Sequence, residues 1–436
     1  MGVVKTMSRL PMRKKRRHKG FWVKNGVIGF FGCLVVLTSC INLWILQLHS
    51  QNQQQWLPET ATTATTRQQA QVAHPNQPQQ LRLQKTTTTT RQLPAAVRGG
   101  GEEGGRERVK AIFKDAGIEL TRKQLLRLPS WSQIEQYIGA EPIIVGLETC
   151  ADFRRMIPAV NRSLGSLGMF NSGTNLVTKL IKENCKIPER IAYYGWKVDF
   201  DKYNMGPLEA HGMRWQVPWG KHTAAKYREI HKAEPPIHTI PTESVMPVIT
   251  VRHPYHWMRS MCKHPYSAKW DHNQRLKCPH LATKPEHPVP LTIKYAMNRT
   301  DQHTSLAHLW NDWYGDYYHH NDNHNASLRS LSSKYPRLMV RFEDLVFHSY
   351  NVTVQVCHCV GGEIRSDRPF QYIQDTAKEG PGHGKDRTDM LEAWIRYSQP
   401  VEPFLPKFDN LYAQNHLDPQ LMDVFHYQHP PGARTT

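Results

Sequence analysis

The chain has 436 residues and a formal net charge of +19. It is longer than one small domain requires, and its ends differ from its middle in composition. Nine of the positive charges precede residue 25 with no acidic residue among them and residues 51–110 add a net four, leaving six for residues 111–436. That modest excess suits a protein handling acidic small molecules or polyanions and argues against a nucleic-acid footprint on the folded part.

Residues 1–24 read as a basic cytosolic tail. No charge follows Lys24 until Glu59, and Gly26 to Leu46 is apolar, long enough as a helix to cross a bilayer core of about 30 Å. The run ends in bulky Trp44 and Leu46 rather than in small residues at a cleavage site, so it reads as a retained signal anchor over 25–48. Basic residues on its N-terminal side place that end in the cytosol and the rest of the chain in a lumen. Residues 49–110 are rich in Gln, Thr, Pro and Gly, with a pure threonine run at Thr86–Thr90; they read as a disordered stem. Order is expected to resume near Val109, with two short helices between Asp115 and Gly139, capped by Thr121 and restarted by Ser130 after Pro129.

Leu164 to Phe170 is a short apolar run with glycines, the pattern of a strand buried on both faces. Asn171-Ser172-Gly173-Thr174-Asn175 is turn-forming, and Leu176, Val177, Leu180 and Ile181 then recur at helical spacing. Strand, tight loop and helix follow one another, and the N–H groups of such a helix start favour a phosphate or sulfate. Taken alone, the cluster also fits a simple N-cap beside a turn glycine. Trp215–Trp219 (WQVPW) reads as a second strand tipped by Gly220-Lys221-His222, and Val245–Val251 (VMPVITV) as a third, broken at once by Arg252-His253-Pro254. A helix is expected from Tyr255 to about Cys262, another over Thr304–His319 with its aromatics in the core, a strand at Leu338–Phe342, and helices at Val352–Val360 and Asp386–Tyr397. Strands alternating with helices argue for a parallel α/β sheet, whose ligands bind at the carboxyl ends of the strands.

Six cysteines lie beyond the span: Cys150, Cys185, Cys262, Cys278, Cys357 and Cys359. An oxidising lumen permits disulfides, and Cys262 with Cys278 is the first expectation; no C-x-x-C spacing suggests zinc. N-x-S/T acceptors stand at Asn161, Asn298, Asn325 and Asn351. Asn161, just before the buried strand, is expected to be the least accessible.

Arg252 directly follows a buried strand and Ser260 comes eight positions later on the next helix. An Arg there can grip a phosphate with two N–H donors while the Ser hydroxyl reaches the same group. With the first loop, this resembles the sulfotransferases that use 3′-phosphoadenosine-5′-phosphosulfate (PAPS). In that family an S-G-T-[TN] loop binds the 5′-phosphosulfate, as Ser172-Gly173-Thr174-Asn175 would here. A strand followed by R-x-P-x(5)-S binds the 3′-phosphate, matched by Arg252, Pro254 and Ser260. A later R-[YF]-E-D-L, matched by Arg341-Phe342-Glu343-Asp344-Leu345, is architectural. The resemblance covers about residues 143–400. It implies a P-loop-like three-layer sulfotransferase fold with a central parallel sheet over 111–436, and a Golgi type II membrane protein. The implied activity is transfer of a sulfuryl group from PAPS, without a metal, to a hydroxyl, on a glycan.

The chain departs from the family at Asn171, where most members carry Lys or Arg. Lys179, Lys221 and Lys385 are the candidates to supply that cation, Lys385 from the late basic loop Gly380–Arg387. The chemistry needs a base for the acceptor's proton. Lys221-His222 resemble the family's Lys-x-His, which makes His222 the expected base and Glu209 and His211 the reserves. With the reference histidine pKa of about 6.5, activity would rise through that pH. Two alternatives stay open: a sulfotransferase-fold binder without turnover, motivated by Asn171, and a glycosyltransferase using Asp199-Phe200-Asp201 as an Asp-x-Asp metal site.

Overall fold

The computed structural model describes residues 102–194, 211–230, 240–271, 278–284, 286–295, 299–318, 335–375, 377, 388–399 and 405–430. The chain divides into two compact units, 1–89 and 90–436, and every described residue belongs to the second. The expected span, most of the stem, Glu209, Asp199–Asp201, Asn298, Asn325 and Lys385 lie outside the described residues. Within them no helix is long and apolar enough to cross a membrane.

The order begins with α1 (Glu102–Asp115), α2 (Arg122–Arg127), α3 (Trp131–Tyr137), β1 (Ile144–Val145), α4 (Cys150–Met156) and β2 (Ser163–Leu167). Then come α5 (Thr174–Asn184), β3 (Cys185–Lys186), α6 (Pro188–Tyr194), β4 (Met213–Arg214), β5 (Val245–Val251) and α7 (Pro254–Lys263). A largely antiparallel insertion follows: β6 (Ala268–Trp270), β7 (Ala282–Lys284), β8 (His287–Pro288), β9 (Leu291–Lys294) and β10 (Thr300–His303). The chain closes with α8 (Leu306–Tyr318), β11 (Leu338–Arg341), α9 (Phe342–Phe347), α10 (Ser349–Cys359), β12 (Glu363–Ile364), α11 (Met390–Tyr397), α12 (Lys407–His416) and α13 (Pro419–Val424).

The fold is mixed α/β around a five-stranded sheet of order β1-β11-β5-β2-β4. All neighbours are parallel except β1 on β11, with Leu167 opposite Ile249 and Arg341 opposite Val251. The pleat sorts side chains onto two faces. Met246 and Val248 join Val177, Leu180, Leu338 and Val340 in one core, while Ile249, Val251, Leu167 and Met339 join Trp257, Trp310 and Phe425 in the other. Helices therefore cover both faces, which is why β5 is a continuous apolar run with every residue buried.

Several expectations hold. Thr121 and Ser130 each form a capping box, completed by Gln124 and Gln133. Cys262 pairs with Cys278, and the other bridges are Cys150–Cys359 and Cys185–Cys357. Others are corrected. The stem does not run to residue 110: α1 starts at Glu102, because Val109, Ile112 and Phe113 bury against Trp131, Ile134 and Trp394. WQVPW is not a strand. Pairing with β2 stops at Arg214, since Pro218 has no N–H to offer and Gly220 turns the chain at φ 103°; Val217 and Trp219 bury instead as core. Phe342 opens α9 rather than ending β11. Asn161 is exposed and Asn351 half-buried, so Asn161 is the more accessible of the two.

Two disulfides tie the C-terminal turn of α10 to α4 and β3 across 209 and 172 residues. Closing loops of that length restricts the unfolded chain strongly. The double variant Cys185→Ser/Cys357→Ser is expected to lose about 2–5 kcal/mol in chemical denaturation; an unchanged midpoint and slope would contradict this.

Candidate functional site

The carboxyl ends of β2, β4 and β5 open into a cavity of about 620 Å³, within the usual range for small-molecule sites. Among its lining are Asn171, Gly173, Thr174 and Asn175 from the first loop, Lys221 and His222 after β4, and Arg252 and Ser260 from β5 and α7. Of the loop residues expected to bind the nucleotide, Ser172 is not on that wall. Ser172 is fully buried, its N–H donating to the Met169 carbonyl at 3.2 Å, and Lys385 lies outside the described residues.

The first loop is shaped by two glycines. A Cβ at Gly168 would sit 2.5 Å from Ser172 Oγ, and Gly173, at φ 101°, places its missing Cβ against the Phe342 ring. Helix α5 begins immediately after; the Leu176 N–H donates back to the Gly173 carbonyl at 2.9 Å, while Thr174 and Asn175, its first two residues, stand at the cavity end of the loop. Asn171 is itself left-handed, at φ 63°. Its Nδ2 donates to the His264 carbonyl at 2.9 Å and approaches Met261 Sδ at 3.3 Å. Asn171 thus ties the loop to the C-terminal end of α7.

Arg252 joins the two motifs. Its Nη1 donates to the Asn171 carbonyl at 2.7 Å and its Nη2 to Tyr397 Oη at 2.5 Å. The guanidinium lies 5.0 Å from the Phe342 ring centre and 5.2 Å from that of Tyr397, within cation–π range. Its Nε is buried with no partner among the described residues, a donor left over in a wall that an anion could occupy. Behind it, Arg341 forms a two-pronged 2.6 Å ion pair with Asp344. Glu343 accepts from the His253 N–H at 3.2 Å and the Tyr427 hydroxyl at 3.0 Å; burial raises its pKa. Arg341, Glu343 and Asp344 are thus buried supports, as expected, whereas Phe342 and Leu345 of the same segment line the cavity.

Lys221 and His222 follow the turn at Gly220, beyond the paired part of β4, and also line the cavity. Lys221 Nζ donates to Asn175 Oδ1 at 2.6 Å and stands 3.0 Å from the Trp215 ring centre. Burial first, and nearby Lys182 second, hold its pKa well below the usual lysine value. An anion at the α5 N-terminus would relieve that cost. His222 Nδ1 lies 2.6 Å from the Gly168 carbonyl. A carbonyl can only accept, so Nδ1 carries the proton and Nε2 keeps its lone pair. Burial and the neighbouring Lys221 push the ring's pKa down to about 3, which corrects the expected value near 6.5: the imidazole is a neutral base throughout the near-neutral range.

Of the reserves, His211 spends its Nδ1 accepting the Met213 N–H at 2.8 Å and does not line the cavity; neither does Lys179. Sequence reasoning missed Tyr397, Phe342, Trp215 and Tyr266. Trp394 and Tyr397, three apart on α11, carry the pattern of core aromatics, and nothing local marks the hydroxyl that meets Arg252.

His253, beside Arg252, shares the pKa of about 3, chiefly through burial. Unfolded histidine titrates near 6.5, so between those values the unfolded chain binds more protons and acid favours unfolding. The contribution of these two rings to stability is complete above about pH 6.5 and is lost as pH falls toward 3. The slope of melting temperature between pH 7 and 5 is therefore expected to be shallower in His222→Gln than in the wild type; an unaltered slope would contradict the assignment.

No family model, curated protein or solved structure matches the chain.

Proposed function

We propose that the protein is a PAPS-dependent sulfotransferase, a Golgi type II membrane protein whose lumenal domain moves a sulfuryl group to a glycan hydroxyl. The observation that carries this is the meeting of three separate segments in one cavity at the carboxyl ends of parallel strands: the 171–175 loop, Arg252 with Ser260, and Lys221-His222. Three disulfides among the described residues agree with an oxidising lumen, and the uncharged run Gly26–Leu46 supplies the anchor.

The residues present fit the nucleotide. Arg252, with a spare buried Nε, and Ser260 would hold the 3′-phosphate; the N–H groups opening α5, Thr174 and Lys221 would hold the 5′ end. PAPS supplies an activated sulfuryl group on a phosphate leaving group. His222 Nε2 takes the acceptor hydroxyl's proton as that oxygen bonds to sulfur. The S–O bond to the 5′-phosphate breaks, and its electron pair remains on the phosphate. Lys221 and the helix N-terminus stabilise that negative charge. The products are a sulfate ester and 3′,5′-ADP, with the proton on His222. Lys221 stands in for the cation missing at Asn171, since Asn175 orients its ammonium toward the loop.

A binder without turnover is the second reading, favoured by Asn171, whose amide is committed to His264 and Met261. Turnover separates the two. His222→Ala should lower turnover by roughly 100- to 10,000-fold, the worth of a positioned base, with little change in 3′,5′-ADP affinity. Near-normal turnover would remove His222 from the mechanism, and absence of wild-type turnover with tight 3′,5′-ADP binding would favour the binder.

The 3′-phosphate assignment has its own test. Arg252→Ala should cost about 1.5–3 kcal/mol of 3′,5′-ADP binding, as loss of a charge-assisted contact does, and much less of adenosine 5′-phosphosulfate binding. Arg252→Lys, which keeps the charge but loses the fork, should fall between. Equal losses for both nucleotides would contradict the assignment.

A further inference from the structure

Beyond the groups that would hold the nucleotide, the cavity has an aromatic wall without an assigned role. The Phe170 ring packs against His222 with centroids 4.4 Å apart, and against Tyr266 at 5.2 Å and an interplanar angle of 12°. All three line the cavity. Phe170 is fixed from behind, its carbonyl accepting the Trp257 indole N–H at 2.8 Å.

Tyr266 is unusual in two respects. Its backbone is left-handed, at φ 51°, where a bulky side chain is rarely found unless its surroundings hold it. It is also 47% exposed, so core packing is not the reason for holding it. Its segment is anchored on one side by the Cys262–Cys278 bridge and through the His264 carbonyl, which accepts from Asn171. The outer ring of the stack is therefore kept in register with the first loop.

We propose that Tyr266, backed by Phe170, forms a subsite for the sugar adjoining the one that reacts, so that the acceptor is an oligosaccharide chain rather than a single sugar. The inference rests on the sulfuryl-transfer reading above. A pyranose presents a flat C–H face that packs on an aromatic ring and a rim of hydroxyls that wants polar neighbours. The half-open Tyr266 ring meets the first need, and Gln216 and His264, also on the cavity wall, meet the second. A phenolic acceptor would call for an enclosed apolar slot, whereas this stack ends in solvent, where a chain can continue. The spacing sets the length. The Phe170 ring lies between His222 and Tyr266, so a sugar packed on the exposed Tyr266 ring stands beyond the one whose hydroxyl meets His222.

The test is sulfuryl transfer from PAPS by the full-length protein. The probes are unsulfated tetrasaccharides of β-galactan, β-glucan, chondroitin and N-acetyllactosamine type, the matching p-nitrophenyl monosaccharides, and p-nitrophenol. At least one tetrasaccharide should outperform its monosaccharide. Tyr266→Ala should raise KM for that tetrasaccharide about tenfold, the worth of one aromatic contact. Its kcat, the monosaccharide KM and the 3′,5′-ADP affinity should stay unchanged, and Tyr266→Phe should retain the wild-type KM. With 3′,5′-ADP binding intact, the proposal is overturned if no tetrasaccharide outperforms its monosaccharide, if p-nitrophenol is preferred, or if Tyr266→Ala leaves the tetrasaccharide KM unmoved. Failure of the wild type to bind 3′,5′-ADP would instead overturn the sulfotransferase reading, and this subsite with it.

Discussion

A buried guanidinium is costly unless its donors are used, and the way Arg252 uses them organises the site. One N–H goes to the carbonyl of Asn171 and one to the hydroxyl of Tyr397, with Phe342 and Tyr397 flanking the plane. The first contact joins two loops 81 residues apart in sequence; the second brings in a helix from near the C-terminus. The charge is thereby positioned before any ligand arrives, which limits the reorganisation that binding requires.

That placement depends on the sheet. β2 and β5 are parallel and in register, Leu167 beside Ile249, so the loops that follow them emerge side by side. β11 extends the sheet beside β5 and delivers Phe342 to the cavity wall, with Arg341 and Asp344 buried behind it. There the Arg341–Asp344 pair also receives the Ile143 N–H and donates to the Ile138 carbonyl, binding the N-terminal helices to the sheet. A buried ion pair of this kind is weak evidence of added stability. What it provides here is a fixed backdrop for Phe342, which packs against both Gly173 and Tyr397.

The parts of this arrangement that could be read from the sequence are those with local causes. Val245–Val251 and Leu164–Phe170 are uninterrupted apolar runs ended by turn formers, and a strand buried on both faces needs that pattern. Because parallel strands end on the same side, the 171–175 loop, Arg252, Ser260 and Lys221-His222 could be expected to meet, and all of them except the buried Ser172 line one cavity. Thr121 and Ser130 announced their caps by residue type. What escaped has tertiary causes. The paired part of β4 is only Met213–Arg214, and Trp215–Trp219 turns inward because of Pro218 and Gly220. The antiparallel strands β6, β9 and β10 are too short for their alternation to stand out. Helix α1 starts in a Glu- and Gly-rich segment and is held by residues a full turn or more farther on. The depressed pKa of His222 comes from enclosure and from Lys221 rather than from any feature of its own segment.

The central claim is that this cavity is built for a nucleotide carrying phosphates at both the 3′ and 5′ positions. The most direct measurement is the melting temperature of the protein with 3′,5′-ADP, with 5′-AMP, and with a UDP-sugar plus manganese, since a ligand that binds only the native state raises it in proportion to its affinity. The account predicts a clear rise with 3′,5′-ADP, a smaller one with 5′-AMP, and none with the UDP-sugar. Stabilisation by the UDP-sugar and manganese, with no response to 3′,5′-ADP, would contradict it.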